Sequence, residues 1–178
     1  MSNLSLIDPA TASGPAADLL VGVQKSLGVT PNMTKAMAHS PALLQGYVDF
    51  NGTLNGGVLT PAVREQIALA VAQNNGCNYC LSAHTYMAEH VAHLSEDVIA
   101  AARRSESADA KTAALLAFAT AVNDTRGSVT SQQFDAVRAA GANDEEIAET
   151  IGHVALNVLT NFFNKAADVA IDFPLVEA

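Results

Sequence analysis

The chain has 178 residues, of which 49% are hydrophobic and 15% are charged, and its formal net charge is −9. The charged fraction is low against a usual value of about 25%. Because Lys and Arg are few and scattered, nucleic acid and an anionic membrane are poor partners for this chain. The length predicts one domain, residues 1–178, that buries about 70% of its unfolded surface.

The N-terminal sequence carries no recognisable targeting signal. MSNLSLIDPATASGPAADLL lacks a basic segment followed by an apolar one, so no secretory signal peptide is predicted. The longest apolar run, within residues 112–122, is too short to span a bilayer. We therefore expect a cytoplasmic protein, in which a Cys-x-x-Cys pair is more often redox-active or metal-binding than a permanent disulfide.

Helix signals recur along the chain, and strand patterns of β-branched residues are absent, so an all-α fold is predicted. Ser40-Pro41 and Thr60-Pro61 are N-cap and first-turn pairs, and Thr130 begins a capping box. Gly28 and Gly76 are C-terminal signals. After an irregular arm of about residues 1–15, the predicted helices cover about 16–27, 31–39, 41–50, 61–74, 77–93, 95–104, 108–123, 131–141 and 144–173.

Two of these helices carry predictions about packing. The sequence TAALLAFATAV, within residues 112–122, is apolar on nearly every face and needs neighbours all round, which predicts a subunit interface there. In the last helix, which Asn143 caps, a buried stripe is expected at Ile147, Ile151, Val154 and Val158. We expect a homo-oligomer and leave dimer, trimer and hexamer open.

The chemistry is concentrated in TPAVREQIALAVAQNNGCNYCLSAHTYMAEHVAH, residues 60–93. Both cysteines of the chain, Cys77 and Cys80, lie here, and His84 follows four residues later. On one helix these three positions share a face, and Cα atoms three residues apart lie about 5–5.5 Å apart, within disulfide range. If the two helices fold back at Gly76, a rise of ~1.5 Å per residue places Glu65 about 16 Å and His84 about 12 Å from the turn. A direct contact or one bridging water between them is therefore predicted.

This arrangement is typical of an activated nucleophile, in which a carboxylate orients an imidazole that contacts a thiol. Cys77, with Cys80 as a second candidate, lies in the first turn of its helix, where the macrodipole favours a thiolate. Two other interpretations remain open. The cysteines could be small buried hydrophobic residues, or Cys77, Cys80, His84 and Glu65 could together bind zinc.

Aromatic and histidine side chains elsewhere give weaker signals. Tyr47, Phe50 and Tyr86 could line a substrate channel or pack in the core. His90 and His93 are expected on an exposed helix end. His39 is expected at the surface and His153 in the core, each without a chemical partner.

The pattern E-x11-C-x-x-C-x3-H resembles the signature of the alkyl hydroperoxidase D (AhpD)-like group within the carboxymuconolactone decarboxylase superfamily. The likeness extends to LGVTPNMTKAMAHSPALLQGY upstream and FDAVRAAGANDEEIAETIGHVALNVLTNFFNKAADVAIDFP downstream, over about residues 20–176. It is closest to the single-domain, peroxidase-related branch. The resemblance implies an AhpD-like helical fold with a central antiparallel helix hairpin that carries the Cys-x-x-Cys motif.

The resemblance also implies a role for each matching residue. Cys80 corresponds to the peroxidatic cysteine, Cys77 to the resolving cysteine, and His84 and Glu65 to the proton relay. Peroxidase members of the group carry a histidine just before the second cysteine, where this chain has Tyr79.

The sequence therefore predicts a thiol-dependent reductase of alkyl hydroperoxides or other peroxides that needs no haem, flavin or metal. The reductant implied by the resemblance is a lipoyl-bearing or thioredoxin-like protein. Two alternatives are a protein disulfide oxidoreductase or redox sensor with weak peroxidase activity, and a metal-stabilised, non-catalytic interaction domain.

Overall fold

The structure is a computed structural model that describes residues 2–178. The predicted all-α fold is confirmed: this part of the chain forms helices and contains no strand. In the described residues the helices are α1 Gly14–Leu27, α2 Asn32–Met37, α3 Pro41–Asn55, α4 Pro61–Asn74, α5 Asn78–His90, α6 Glu96–Arg103, α7 Ala110–Asp124, α8 Ser131–Ala139 and α9 Asp144–Ala166. None of the helices in residues 2–178 is long and apolar enough to cross a membrane.

The helix starts follow the capping signals of the sequence. The Thr60 hydroxyl accepts the backbone N–H of Val63 at 3.3 Å, and Asn143 forms a full capping box with Glu146. Each satisfies a backbone donor that the first turn leaves unpaired. The predicted starts at Ser40, Thr60, Ser95, Thr130 and Asn143 are all confirmed.

Helix α3 continues past the predicted end near Phe50 to Asn55. Gly52 is accommodated inside the helix, since one glycine costs only about 1 kcal/mol relative to alanine. The connection to α4 is therefore short, and Glu149 of α9 holds it in place. Its carboxylate accepts the backbone N–H groups of Val58 at 2.8 Å and Leu59 at 3.0 Å.

Helix α4 is the centre of the fold. Residues 66–72 are all buried, because α5, α6, α7 and α9 all pack against this helix. Every side chain that α4 presents toward α5 and α9 is thus held in a fixed environment. Glu65 lies directly before this buried stretch and is only partly exposed.

The reason for expecting a subunit interface on α7 was that one domain would not supply enough neighbours for its apolar faces, and that reason does not hold. Helix α7 finds its neighbours within the same chain, because α4, α8 and α9 pack around it. Leu115, Leu116, Phe118 and Val122 are all buried, and within residues 2–178 none of the exposed large hydrophobic side chains belongs to α7. A helix that is apolar all round is here a core helix.

The prediction for α9 is only half correct. Ile147 and Val154 are each 3% exposed, but Ile151 is 39% exposed. Helix α9 ends at Ala166, well before Pro174, and the remaining residues form a tail that crosses α5. The backbone N–H of Val176 in this tail donates to the Ser82 hydroxyl at 2.9 Å. Beside Ile147, Val154 and Leu156, the buried residues of α9 are polar: Thr150, His153, Asn157, Thr160, Asn161 and Asn164.

Candidate active site

The two cysteines meet at the start of α5. Cys77 is the N-cap residue rather than part of the helix, and its sulfur accepts the backbone N–H of Cys80 at 3.3 Å. The two Sγ atoms lie 2.6 Å apart as free cysteines, 1% and 3% exposed. Gly76, with a φ of 60°, makes the left-handed turn that brings the chain from α4 into this cap. The predicted juxtaposition of both sulfurs is therefore present.

Hydrogen bonding between the two thiols shifts their pKa values in opposite directions. The hydrogen bond from the Cys80 thiol lowers the pKa of Cys77 and outweighs burial, and the charges of His84 and Lys165 lower it further. The pKa of Cys80 is raised by that same hydrogen bond, by burial and by the negative charge on Cys77. Cys77 is therefore the thiol that ionises more readily, and Cys80 is the one that holds its proton more tightly.

Two asparagines of α9 face the Cys80 sulfur. The Asn164 side-chain amide donates to Cys80 Sγ at 3.3 Å and to the Met33 sulfur at 3.2 Å. This hydrogen bond from Asn164, together with the nearby Asn161 amide, opposes the rise in the pKa of Cys80. They therefore stabilise negative charge on this sulfur once its proton leaves.

Glu65 and His84 form the contact that their spacing predicts. Glu65 Oε2 lies 2.8 Å from His84 Nδ1, and the side chains are 20% and 28% exposed. Burial lowers the pKa of His84, but the charge and hydrogen bond of Glu65, together with the charge of Cys77, raise it overall above its ordinary value. His84 is therefore held as a proton donor within electrostatic range of the cysteine pair.

Tyr79, between the cysteines, forms a structural link. Its hydroxyl donates to Asp172 of the tail at 2.8 Å and accepts the backbone N–H of Met33 in α2 at 3.1 Å. Its ring packs edge-on against Phe173, with 5.9 Å between centroids. The side chain is 5% exposed, and its described hydrogen bonds do not include His84 or Glu65. Tyr79 thus ties α2 and the tail to α5.

Two cavities flank the site. The Cys77 cleft has a volume of about 450 Å³ and is lined by Cys77, Asn164, Lys165 and the start of the tail. The polar chamber has a volume of about 50 Å³ and is lined by residues of α3, α4, α5 and α9, including Glu65 and His84. Cys77 therefore faces one cavity, and its relay partner His84 faces the other.

The weaker sequence signals have mixed outcomes. Tyr47 lines the polar chamber, whereas Phe50 and Tyr86 are exposed, at 38% and 39%. The expected burial of His153, which is 4% exposed, is confirmed. The expected surface positions of His39, His90 and His93 are confirmed as well.

The structure offers no geometric support for the zinc interpretation. Within residues 2–178, no group of three His, Cys, Asp or Glu side chains is arranged so that it could hold a metal ion. The four candidate zinc ligands instead form two separate pairs, Cys77 with Cys80 and Glu65 with His84.

The residues that sequence reasoning missed lie on α9. Asn164 contacts the Cys80 sulfur, Asn161 lies near it, and His153 and Asn157 line the polar chamber. The signal that could have found them is a spacing of three or four residues between polar side chains, which Thr150 and Thr160 continue. It indicates one polar helix face, but a polar face is ordinarily interpreted as solvent-exposed.

An all-α fold with a paired thiol at a helix N-cap and a carboxylate–histidine pair beside it defines a candidate thiol redox enzyme. The family model of the carboxymuconolactone decarboxylase family matches residues 41–124 of this chain. This match spans slightly less than half of the chain, and the fold comparisons below show an AhpD-like fold. Comparison with curated proteins finds no significant match.

Several solved structures share the fold. The AhpD core of a peroxidase-related protein from Ralstonia eutropha JMP134 superposes with a TM-score of 0.84 at 24% identity, covering 96% of this chain and 92% of that chain. A peroxidase-related protein from Silicibacter sp. TM1040 gives a TM-score of 0.78 at 22% identity, covering 93% and 91%. A cysteine-to-alanine variant of the debrominase Bmp8, in complex with 2,3,4-tribromopyrrole, gives a TM-score of 0.80 at 21% identity, covering 95% of this chain and 91% of that chain.

Proposed function

We propose that this protein is a thiol-dependent peroxidase that cycles Cys77 and Cys80 between dithiol and disulfide. The observation that carries the proposal is the pair of buried sulfurs 2.6 Å apart, of which Cys77 has a lowered pKa, together with a histidine whose protonated form Glu65 favours. The family and the fold support an enzyme of this general kind.

In the oxidation step, the Cys80 sulfur attacks one oxygen of the peroxide. A sulfur–oxygen bond forms, the oxygen–oxygen bond breaks, and the sulfur is oxidised as the peroxide is reduced. The proton of Cys80 passes to the Cys77 thiolate, whose Sγ lies 2.6 Å from that of Cys80. The departing oxygen takes a proton from His84, and the products are a Cys80 sulfenic acid and water or an alcohol.

In the resolving step, the Cys77 sulfur attacks the Cys80 sulfur. The disulfide forms as the sulfur–oxygen bond breaks, and the proton of the Cys77 thiol, relayed by His84, converts the leaving hydroxide to water. Two thiols and one peroxide thus become one disulfide, one water and one alcohol or second water. An external dithiol, of the lipoyl-bearing or thioredoxin-like class, then reduces the disulfide by attack on Cys77, which faces the open Cys77 cleft.

A disulfide oxidoreductase or redox sensor is the second candidate. The observation that favours it is the position of Cys77, which lines an open cleft of about 450 Å³, while Cys80 lines neither described cavity at the site. In this case thiol–disulfide exchange at Cys77 would be fast and peroxide turnover slow.

Peroxide consumption with a dithiol donor tests the proposal on wild type, Cys80→Ser and Cys77→Ser, each followed by thiol counting. We expect wild type to turn over, Cys80→Ser to be inactive, and Cys77→Ser to accumulate a sulfenic acid. If wild type forms the disulfide but consumes peroxide no faster than a free thiol, the peroxidase is refuted and the oxidoreductase takes its place. Because the debrominase shares this fold, 2,3,4-tribromopyrrole is the control substrate. Its conversion in place of peroxide would identify a dehalogenating enzyme instead.

We also propose a cytoplasmic homo-oligomer that associates through the outer face of α9. Ile151, Leu159 and Phe162 are 39%, 36% and 59% exposed and recur along that face. Light scattering tests the proposal: wild type should be larger than a monomer and Phe162→Glu should be smaller. A monomeric wild type would refute it.

A further inference from the structure

The Cys77 cleft carries a lysine beside the cysteine. Lys165, in the last turn of α9, lines this cleft of about 450 Å³ together with Cys77. Its Nζ donates to the backbone carbonyl of Asn75 at 2.5 Å, and a Cβ added at Gly76 would lie 3.8 Å from it. The ammonium group is therefore held against the turn that leads directly into Cys77.

The charge of Lys165 can act on a molecule in the cleft. The residue is exposed, and none of the ion pairs in the described part of the chain includes it. The pKa of Cys77 is lowered first by its hydrogen bond with Cys80, and the positive charges of two further residues, His84 and Lys165, lower it further. Asp168 also lines the cleft, but it is not among the groups that shift this pKa. The charged residues that act on the Cys77 sulfur are thus positive.

Consecutive residues of α9 face the two sulfurs. Asn164, which also lines the cleft, donates its amide to Cys80 Sγ at 3.3 Å, and Lys165 follows it on the side of Cys77. Reduction of a disulfide brings a negative thiolate to one sulfur and leaves a negative thiolate on the other. The end of α9 therefore places a cation where charge arrives and a hydrogen-bond donor where charge departs.

A donor reaches the disulfide through this cleft, because Cys80 lines neither described cavity at the site. Cys77 is 1% exposed, so its sulfur lies at the floor of the cleft and the rim must move to admit a donor. That rim includes Ser2 and Ala170, from the two terminal segments, and the Ala170 N–H donates to the Ser2 hydroxyl at 2.9 Å. Terminal segments held by few contacts open at low free-energy cost.

We propose that the Cys77 cleft selects the reducing dithiol by its charge, with Lys165 as the residue that favours donors bearing a carboxylate. The inference rests on the dithiol–disulfide cycle of the proposed function and not on its peroxide step. A cleft of about 450 Å³ lies within the range of roughly 300–1,000 Å³ that binds small organic ligands. A cation at the rim of such a site raises the association rate of a partner of opposite charge.

The exchange has two steps. The first donor thiolate attacks Cys77, a sulfur–sulfur bond forms, and the bond between Cys77 and Cys80 breaks with its electron pair left on Cys80. Cys80, whose pKa is raised by hydrogen bonding to Cys77 and by burial, takes up one of the two protons that the donor loses. The second donor thiolate then attacks the first donor sulfur, and Cys77 departs as a thiolate beside Lys165. The donor is oxidised to a disulfide and the protein disulfide is reduced.

Reduction of the oxidised full-length protein by dihydrolipoate and by dihydrolipoamide tests the inference. The two dithiols differ only at the end remote from sulfur, where one carries a carboxylate and the other a neutral amide. The protein disulfide is formed beforehand with diamide, so no peroxide is needed, and its loss is followed by acid quenching and thiol counting.

We expect Lys165→Met to lower the rate constant about fivefold for dihydrolipoamide, as for one unit charge near the attacking thiolate in water. For dihydrolipoate the loss should be about fifteenfold, because the more distant carboxylate adds a smaller factor of about three. Lys165→Arg, which keeps the charge, should retain the discrimination between the two dithiols. Lys25→Met, at an exposed lysine of α1, is the matched control and should change neither rate.

The comparison of the two dithiols separates charge recognition from a structural role of Lys165 at the Asn75 carbonyl. An equal loss for both dithiols in Lys165→Met, or no loss, overturns the inference and leaves the dithiol cycle intact. If diamide forms no disulfide between Cys77 and Cys80, the proposed function and the inference fail together. If Lys165→Met does not fold, Lys165→Gln removes the charge, keeps a donor for the carbonyl and decides the question by the same comparison.

Discussion

Replacement of Glu65 by Gln should remove the negative charge that favours protonated His84, while the shape of the side chain at position 65 is retained. Glu65 Oε2 lies 2.8 Å from His84 Nδ1 and the two side chains are 20% and 28% exposed. Hydrogen bonds between charged groups contribute about 1.5–3 kcal/mol to stability. Because water still reaches both side chains, we expect Glu65→Gln to lower the free energy of unfolding by the lower end of this range, about 1.5 kcal/mol at pH 6.

The loss should depend on pH in a defined direction. The folded-state pKa of His84 is raised by Glu65 above its unfolded value of about 6.5. Protonated His84 therefore stabilises the fold fully below that unfolded value, and the contribution disappears as the pH rises through the raised folded-state pKa. At a pH above that pKa His84 is neutral in both proteins, so the difference between wild type and Glu65→Gln should fall to about 0.5 kcal/mol, because only a hydrogen bond to a neutral imidazole is then altered.

Urea unfolding with a reductant at pH 6 and pH 9 measures this difference. Titration of Cys77 occurs in both proteins and largely cancels in the comparison. Glu89→Gln is a matched control, since Glu89 lies 3.8 Å from His90 on the same helix and both are about half exposed. It should change stability by no more than about 0.5 kcal/mol at either pH. An equal loss for Glu65→Gln at both pH values would refute the electrostatic argument.

Three further substitutions test other contacts. Asn164→Leu removes the amide that donates to Cys80 and should slow peroxide-dependent loss of thiols about fivefold; an unchanged rate would place Asn164 outside the chemistry. Tyr79→Phe should cost about 1–3 kcal/mol in urea unfolding, because a buried backbone N–H loses its acceptor, yet leave the peroxide rate of the folded protein unchanged. A tenfold slower rate would instead make Tyr79 part of the relay. Gly57→Ala would place a Cβ in steric conflict with the Glu149 carboxylate and should lower stability by about 1–2 kcal/mol. A double-mutant cycle with Glu149→Ala should be non-additive; strict additivity would contradict the clash.

The parts of the fold that the sequence predicted well are those that local chemistry determines. A capping side chain acts on the first turn of its own helix, so Thr60 and Asn143 identify helix starts without knowledge of the tertiary structure. The contact of Glu65 with His84 was predicted because two helices and a short turn limit where those residues can meet. Predicted helix ends were poorer, as at Asn55, because continuation past a glycine depends on packing.

Helix α9 could not be predicted because its environment reverses the usual relation between polarity and burial. Ile151 was expected inside by its apolar character, but it is 39% exposed, while Asn161 is fully buried. Periodicity identifies the faces of a helix but does not show which one is inside when polar side chains have partners in the core. Those partners include Asn75, the C-cap residue of α4, whose amide donates to Asn161 at 3.0 Å.

The reversed polarity of α9 is itself an argument for function. A buried polar face lowers stability unless its groups are paired, and Thr150 and Thr160 meet this need with carbonyl oxygens of their own helix. His153, Asn161 and Asn164 each keep one buried atom without a partner among the described residues. These three side chains lie at the polar chamber and at Cys80, where a reacting molecule would require polar groups that no protein partner has already satisfied. The candidate active site is thus built from α9 as much as from the Cys-x-x-Cys segment.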